Sequence, residues 1–490
     1  MASDQLPEPD VSAENPISDH WVWVSAHRPP VPRVLVDQMT SNWAPVEFEG
    51  DVLDMATHCG PRRDAVGAQF PGQTLVIPSG GLKSRTHDTE YNFRPGTEFF
   101  YLTGCSEPDA VLVVNGSQST LFIPERRDSS THEFFTNGTH GEVWVGARRG
   151  TVEAASYYAI TTAPLDELDA HLAAQPSVVL VRGYDGHLDA TVPTHENDSA
   201  LHSFLAEQRL VKSDYEVTQL QAAINSTVRG FEDVVRALPT AIGRNERVIE
   251  GIFNLRARVE GNDIGYNTIA ASGSHATVLH WTRNDGEIRD GEILLLDAGV
   301  EWHTLYTADV TRTLPINGKY TPTQRRLYEL VLEAQEAGIA ACVVGASFGD
   351  PHKAAMAVLA RGLNELGIIS EDADTALRPD RQLHRRYTLH GTSHMLGIDV
   401  HDCAQSRNET YMGELKAGYV LTVEPGLYFQ INDLTVPEEL RGIGVRIEDD
   451  ILVTDNGPVN LSAGLPRTVA DIEAWMARLT ANATQGLLSN

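Results

Sequence analysis

Apolar positions along this chain follow two regimes. Between about residues 74 and 181 they come in short unbroken runs, TLVIP from Thr74, then EFFYLTG, AVLVV and STLFIP, each stopped by Gly, Pro or Asn. Runs of that length between turn residues predict strands. Another run, VVLVRG near Val178, closes this half. With helical stretches in between, the pattern predicts an α/β domain over 51–212, ending near Arg209. Residues 1–50 are rich in Pro, Asp and Glu without periodicity, which predicts a leader that is extended or partly helical.

From Ser213 the period changes. Ser213-Asp-Tyr-Glu216 has the form of a capping box, and Val217, Leu220, Ile224, Phe231, Val235 and Leu238 recur at three- and four-residue steps, predicting a long amphipathic helix. Thr321-Pro322-Thr323-Gln324 predicts a second capped helix, through about Val343, with proline in its first turn. Asp350-Pro351 starts a third, which Gly367 ends. Between and after these helices lie the runs EILLLDAG, ADVTRTLPI, GYVLTVEPG and VRIEDDILVT. Residues 213–490 are therefore predicted to form an α+β domain, with helices covering an antiparallel-rich sheet.

Composition narrows the classes. At 490 residues the chain is long enough for two to four domains, and 41% apolar content fits a globular core. The 38 Lys+Arg against 67 Asp+Glu leave a formal charge of −29, which argues against nucleic acid and anionic membrane surfaces as partners. Cys59, Cys105, Cys342 and Cys403 are widely spaced with no CxxC, so they read as reduced thiols. The first 20 residues carry neither a basic region nor an apolar segment, and the longest nearly apolar stretch, Gly338–Gly349, is far too short to span a bilayer. The expectation is a cytoplasmic protein.

Gly345-Ala-Ser347-Phe-Gly349 matches the G-x-S-x-G pattern of serine hydrolases, but it falls between two predicted helices rather than at the strand-to-helix turn that exposes such a serine. The acids carry more. Asp297 ends the apolar run EILLLD, Asp309 opens another strand 12 residues later, and Glu424 ends YVLTV before a Pro-Gly break. Alternation points Arg446 and Glu448 to one face. Taken singly, each is an ordinary strand-end turn residue or a buried Arg–Glu pair. His390, His394 and His401 fall within 12 residues, in HGTSHMLGIDVHD, and His280 lies in VLHWTRN. A lone histidine is usually a satisfied polar residue; three this close are harder to set aside. The i, i+4 spacing of His390 and His394 is that of a zinc helix, but Gly391 and the glycine and β-branched residues after it make a helix unfavourable. His401 is expected on a strand. Together Asp297, Asp309, His394, Glu424 and Glu448 form an oxygen-rich set without thiolate, suited to hard divalent ions such as Mn²⁺, and carboxylates can bridge two ions.

The order D…D…H…E…E, within LLLDAG, ADVTRT, HGTSHMLGIDVHD, TVEPGLY and GIGVRIEDD, closely resembles the pita-bread metallopeptidases of the aminopeptidase P (Xaa-Pro aminopeptidase) family. The likeness runs over about 213–475, includes YNTI at Tyr266–Ile269 and LHW around His280, and extends to DTEYNFRPGTEFFYLTGCSEPDAVLVV in the first half. It implies a creatinase-like N-terminal α/β domain before a pita-bread catalytic domain, and an exopeptidase that releases the residue ahead of a proline. Two divalent ions are implied, most naturally Mn²⁺: Asp297 on one, Asp309 and Glu448 bridging, His394 and Glu424 on the other. By the same resemblance Glu424 accepts the water's proton, His390 and His401 steady the tetrahedral intermediate, His280 lies near the scissile carbonyl, and Arg446 orients substrate or His401. The resemblance further implies a homodimer or homotetramer acting on peptides with N-terminal Xaa-Pro. Prolidase shares these five ligands, and methionine aminopeptidase shares the catalytic fold without so large a first domain. Creatinase lacks the metal, and non-catalytic pita-bread binding proteins lose the ligands that this chain keeps.

Overall fold

The computed structural model describes residues 21–22, 31–48, 50–87 and 89–481. Much of the expected leader lies outside the described residues; within it Trp21–Val22 pairs with Val31–Pro32, and Arg33–Met39 is helical. By compactness the chain divides into two units, Met1–Leu201 and His202–Asn490.

In the first unit, Ala56–Gln69 (α1) precedes Thr74–Pro78 (β1), Thr97–Thr103 (α2), Val111–Asn115 (β2), Gln118–Ile123 (β3), Thr161–Pro164 (β4) and Val178–Leu180 (β5). The strands form one sheet in the order β4-β3-β2-β1-β5. Its three middle strands pair antiparallel, while β4 and β5 join in parallel at the two edges. One prediction fails here: EFFYLTG is helix, not strand. All seven residues of α2 are buried, so no polar face betrays the helical period, and a short apolar run is ambiguous between the two states. Its ends are legible in retrospect, since Gly104 terminates the helix at φ 68°, a left-handed cap that favours glycine.

The second unit contains Asp214–Ala241 (α3) and Arg247–Glu260 (α4). Both halves of the predicted box at Ser213 form, as does the one at Thr321 that starts Pro322–Ala340 (α5). Asp350–Glu365 (α6) follows a turn in which Ser347 merely accepts a hydrogen bond from the Gly349 N–H, so the serine-hydrolase pattern is a helix connection. Ile269–Ser272 (β6), Ile293–Ala298 (β7) and Val310–Pro315 (β8) form an antiparallel sheet with β7 in the centre. The register sets Asp297 opposite Thr311. One large core joins these strands to the helices, among them Phe231 of α3, Phe253 of α4, Leu294, Val310, Leu327 of α5 and Leu359 of α6.

Four further strands come from two runs that each break in the middle. GYVLTVEPGLYF forms Val420–Val423 (β9) and Gly426–Phe429 (β10), and VRIEDDILVT forms part of Ile443–Arg446 (β11) and then Asp449–Thr454 (β12). The pairing β10–β11 ends at Gly426 opposite Arg446, and β9–β12 begins at Val423 opposite Asp449. The two residues skipped on each side are Glu424-Pro425 and Ile447-Glu448. Pro425 has no N–H for a ladder, and the N–H of Glu448 bonds the Thr311 carbonyl of β8 at 3.1 Å. Both glutamates therefore stand at one break.

Candidate active site

All nine residues singled out in the sequence line one cavity of about 630 Å³ in the second unit: His280, Asp297, Asp309, His390, His394, His401, Glu424, Arg446 and Glu448. Strand ends deliver the acids. Asp297 leaves β7, Asp309 enters β8, and the paired breaks after β9 and β11 deliver Glu424 and Glu448.

The histidines arrive differently. Residues 390–401 form neither a helix nor the strand expected for His401. The His394 carbonyl accepts from the Thr422 N–H at 3.0 Å, Met395 makes an isolated bridge to Leu421, and the chain then doubles back so that the Asp402 N–H reaches the Met395 carbonyl at 3.0 Å. Asp402 is buried against Arg209 (3.0 Å) and Lys212 (3.4 Å), and a Cβ at Gly397 would lie 2.0 Å from its carboxylate. That anchor, made with residues nearly 200 positions away, overrides the β propensity of GIDVHD. It sets the ring of His401 4.4 Å from that of His394.

Ligand-type atoms of Asp309, His394 and Glu448 lie within 4.8 Å of one another. His394 Nε2 is 3.2 Å from Asp309 Oδ2 and 3.8 Å from Glu424 Oε1. Asp297 is turned toward Arg446, whose guanidinium donates to it at 2.5 Å and also reaches the Tyr428 hydroxyl (3.0 Å) and Thr311 (3.2 Å). The resemblance implied that Arg446 orients substrate or His401; its side-chain bonds in the structure run to Asp297, Tyr428 and Thr311, with β11 setting it beside β10 and β8. His390 Nε2 meets the same Tyr428 hydroxyl at 2.8 Å, and its Nδ1 lies 3.4 Å from Glu424.

Four carboxylates face one buried space with Arg446 as their guanidinium counter-charge. Burial and the neighbouring Asp309, Glu424 and Asp297 push the Glu448 carboxyl far above its usual range. Burial lifts Glu424 to about 7, against the pull of His394 and Arg446 and with help from Asp309 and Asp297. Burial works against a charged His394, but the hydrogen bond and charge of Asp309, with Glu424, outweigh it and raise the imidazole to about 9. Burial and then Arg446 depress His390 to about 4. Like charges so close in a poorly solvated space are under-compensated, and an oxygen-rich set with one imidazole fits a hard divalent cation.

Residues 218–455 match the family model Metallopeptidase family M24, and residues 60–178 match Aminopeptidase P, N-terminal domain. Xaa-Pro aminopeptidase 1 of Streptomyces coelicolor is 51% identical over 484 residues, covering 97% of each chain. The chain belongs to the Xaa-Pro aminopeptidases of metallopeptidase family M24. The Xaa-Pro aminopeptidase of Escherichia coli is 34% identical over 85% of this chain and 96% of its own. A variant of Escherichia coli aminopeptidase P solved in complex with substrate superposes with a TM-score of 0.78 at 31% identity, covering 88% of this chain and all of the other. The architecture expected of the family, an aminopeptidase P N-terminal domain followed by a pita-bread metallopeptidase domain, is the one this chain has.

Part of the site carries no mark in the sequence. Tyr266 stands there only as part of YNTI, yet its hydroxyl lies 2.7 Å from Asp297 Oδ1 and 2.5 Å from Asp309 Oδ1, inside the acid cluster. Tyr428 joins His390 to Arg446; its signal was Gly426, where a Cβ would come within 2.3 Å of the Tyr428 hydroxyl. Thr311 donates to Glu448 at 2.6 Å, and Asp450 accepts from the Asp309 N–H at 3.2 Å. A strand threonine and the third acid of an EDD run carry no sequence mark of such a role.

Proposed function

We propose that this chain removes the N-terminal residue from peptides with proline in second position, using two divalent ions, which we assign as manganese. In this reading these five side chains would hold the ions: Asp297 one, His394 and Glu424 the other, with Asp309 and Glu448 shared between them. The observation that carries it is the convergence of these five side chains, from five separate chain segments, on one buried under-compensated cavity. Such an ion pair supplies an activated water at neutral pH and polarises the scissile carbonyl.

The chain's own groups do the rest. Glu424, which the break after β9 delivers to the cavity, takes the water's proton and returns it to the departing proline nitrogen. His390, kept neutral by burial and by Arg446, is locked to the Tyr428 hydroxyl and so presents a fixed ring to the developing oxyanion. His401 and His280 complete the wall on which the substrate carbonyl lies. Arg446 holds Asp297 in place, which is the orienting role we give it. A bond to proline has no N–H, so a site that works on the carbonyl without an N–H partner suits it.

The test is metal-stripped protein assayed on Ala-Pro-Leu and Ala-Pro before and after return of Mn²⁺. Tripeptide cleavage restored by Mn²⁺ is expected. Cleavage of the dipeptide alone would replace the aminopeptidase with a prolidase, and full turnover in Asp309→Ala or Glu448→Ala would overturn the site.

We also place the working boundary between leader-plus-first domain and catalytic domain at 212/213, supported by the capping box that starts α3 there. Residence in the cytoplasm is supported by four buried cysteines, none joined in a disulfide among the described residues. Assembly as a dimer or tetramer is supported by the exposed apolar residues Val143, Trp144 and Val152 of the first unit, and light scattering checks it.

A further inference from the structure

A second cavity, of about 530 Å³, adjoins the active site and shares His390 and Gly391 with it. Its lining differs from its neighbour's. The catalytic cavity is lined by four acids, whereas the described lining of the second contains no Asp or Glu; of its basic residues Lys353 pairs with Asp350 at 2.9 Å and burial holds His352 and His384 below the usual imidazole range, which leaves Arg385. Arg385 bonds only neutral acceptors among the described residues, Gln382 Oε1 at 2.9 Å and the Leu389 carbonyl at 3.5 Å. The remaining wall is apolar, from Met356, Leu377, Pro379 and Leu389.

The two cavities meet at His390 and Gly391, and a Cβ at Gly391 would meet nothing closer than 4.0 Å, so there is room for a side chain at that junction, where glycine places none. The second cavity is tied to the catalytic loop as well, since His352 of α6 bonds Thr392 Oγ1 at 2.9 Å and the Thr392 carbonyl accepts from the Glu424 N–H at 2.8 Å. A peptide lying across His390 would thus pass from the acid-lined catalytic cavity into one whose charged group is Arg385. The second suits a carboxylate with an apolar side chain beside it.

We propose that this cavity is a subsite for the free C-terminal carboxylate of short peptides, with Arg385 as its charged contact and the apolar wall taking the terminal side chain. The inference rests on the peptidase reading above and deepens it: the enzyme prefers short peptides with a free, apolar C-terminal residue. Each residue beyond proline adds at most ~3.6 Å of reach, so the preference peaks at one length and fades on either side.

The experiment compares Ala-Pro-Leu, Ala-Pro-Ala-Leu and Ala-Pro-Ala-Ala-Leu, each as free acid and as C-terminal amide, on the Mn²⁺-loaded wild type and on Arg385→Gln and Arg385→Lys. Arg385 is exposed, so neither change threatens the fold. At the best length the wild type should show a KM about fivefold lower for the acid than for the amide, the size of one partly solvated charge pair, with kcat unchanged. Arg385→Gln should erase the difference by raising KM for the acid, and Arg385→Lys should keep part of it. An equal acid-to-amide ratio in wild type and Arg385→Gln, or a ratio of one at every length, overturns the proposal. So does competition by inorganic phosphate through Arg385 without any acid-to-amide difference, which would make this a site for free anions. Failure of the wild type to cleave either form would sink the peptidase reading itself, and this inference with it.

Discussion

At the scale of single residues, the site works through groups that fix the reacting ones. The Tyr428 hydroxyl is the shared partner of His390 and Arg446, at 2.8 and 3.0 Å, and so couples the imidazole to the cation that holds Asp297. Tyr428→Phe removes this link with little change of shape. We expect kcat to fall roughly tenfold, the worth of one hydrogen bond to a charged group, with the bound metal content unchanged. Steady-state kinetics beside elemental analysis checks this, and loss of metal would assign Tyr428 to metal retention instead. The acids and histidines were legible because their types and order are unusual. Tyr266 and Thr311 were not, because a tyrosine or strand threonine is common in any core and only proximity gives it a task.

At the scale of elements, the loop that brings His280 to the cavity is held by one buried acid. Glu246, with no exposed side-chain surface, accepts from the Ser272 N–H (2.7 Å) and hydroxyl (2.8 Å), His275 (2.9 Å), Trp281 Nε1 (2.8 Å) and the Gly286 N–H (2.8 Å). Glu246→Ala strands these donors in the interior and should destabilise the protein by about 3–5 kcal/mol, read as a lower Tm. The pH dependence has a definite sign. Burial opposes ionisation of Glu246, but the bonds from Ser272, His275, Trp281 and Gly286 prevail and hold its carboxyl below the usual range. The folded state therefore releases this proton more readily than the unfolded chain. The stabilisation is complete above the unfolded value near ~4.3 and is lost as pH falls through the folded one. Tm should drop more steeply with acid in the wild type than in Glu246→Gln; parallel curves would refute the assignment. Helices α3, α5 and α6 were legible from caps and period. The helix at EFFYLTG was not, because full burial removes the polar face that distinguishes helix from strand.

At the scale of the whole molecule, ligand linkage gives a test independent of turnover. Ions that bind only the folded catalytic unit raise its Tm, by about 2.7 kcal/mol of added stability at a hundredfold excess over Kd. Mn²⁺ should therefore shift Tm upward in the wild type, a chelator should reverse the shift, and Asp309→Asn should abolish it. The sequence by itself determined the helix caps, most strand runs, the two-part architecture and the identity of the acids and histidines, since these depend on local propensity, period and residue chemistry. It also supplied the excess of negative charge, of which four acids belong to the cavity. Only the tertiary structure decided how those residues meet. Two long apolar runs break at Glu424-Pro425 and Ile447-Glu448 because each changes pairing partner at the same level of the fold. The His394–His401 segment abandons its strand propensity because Asp402 is tied to Arg209 and Lys212. Each outcome is a contact between segments far apart in the chain, whose energy no local window of sequence contains.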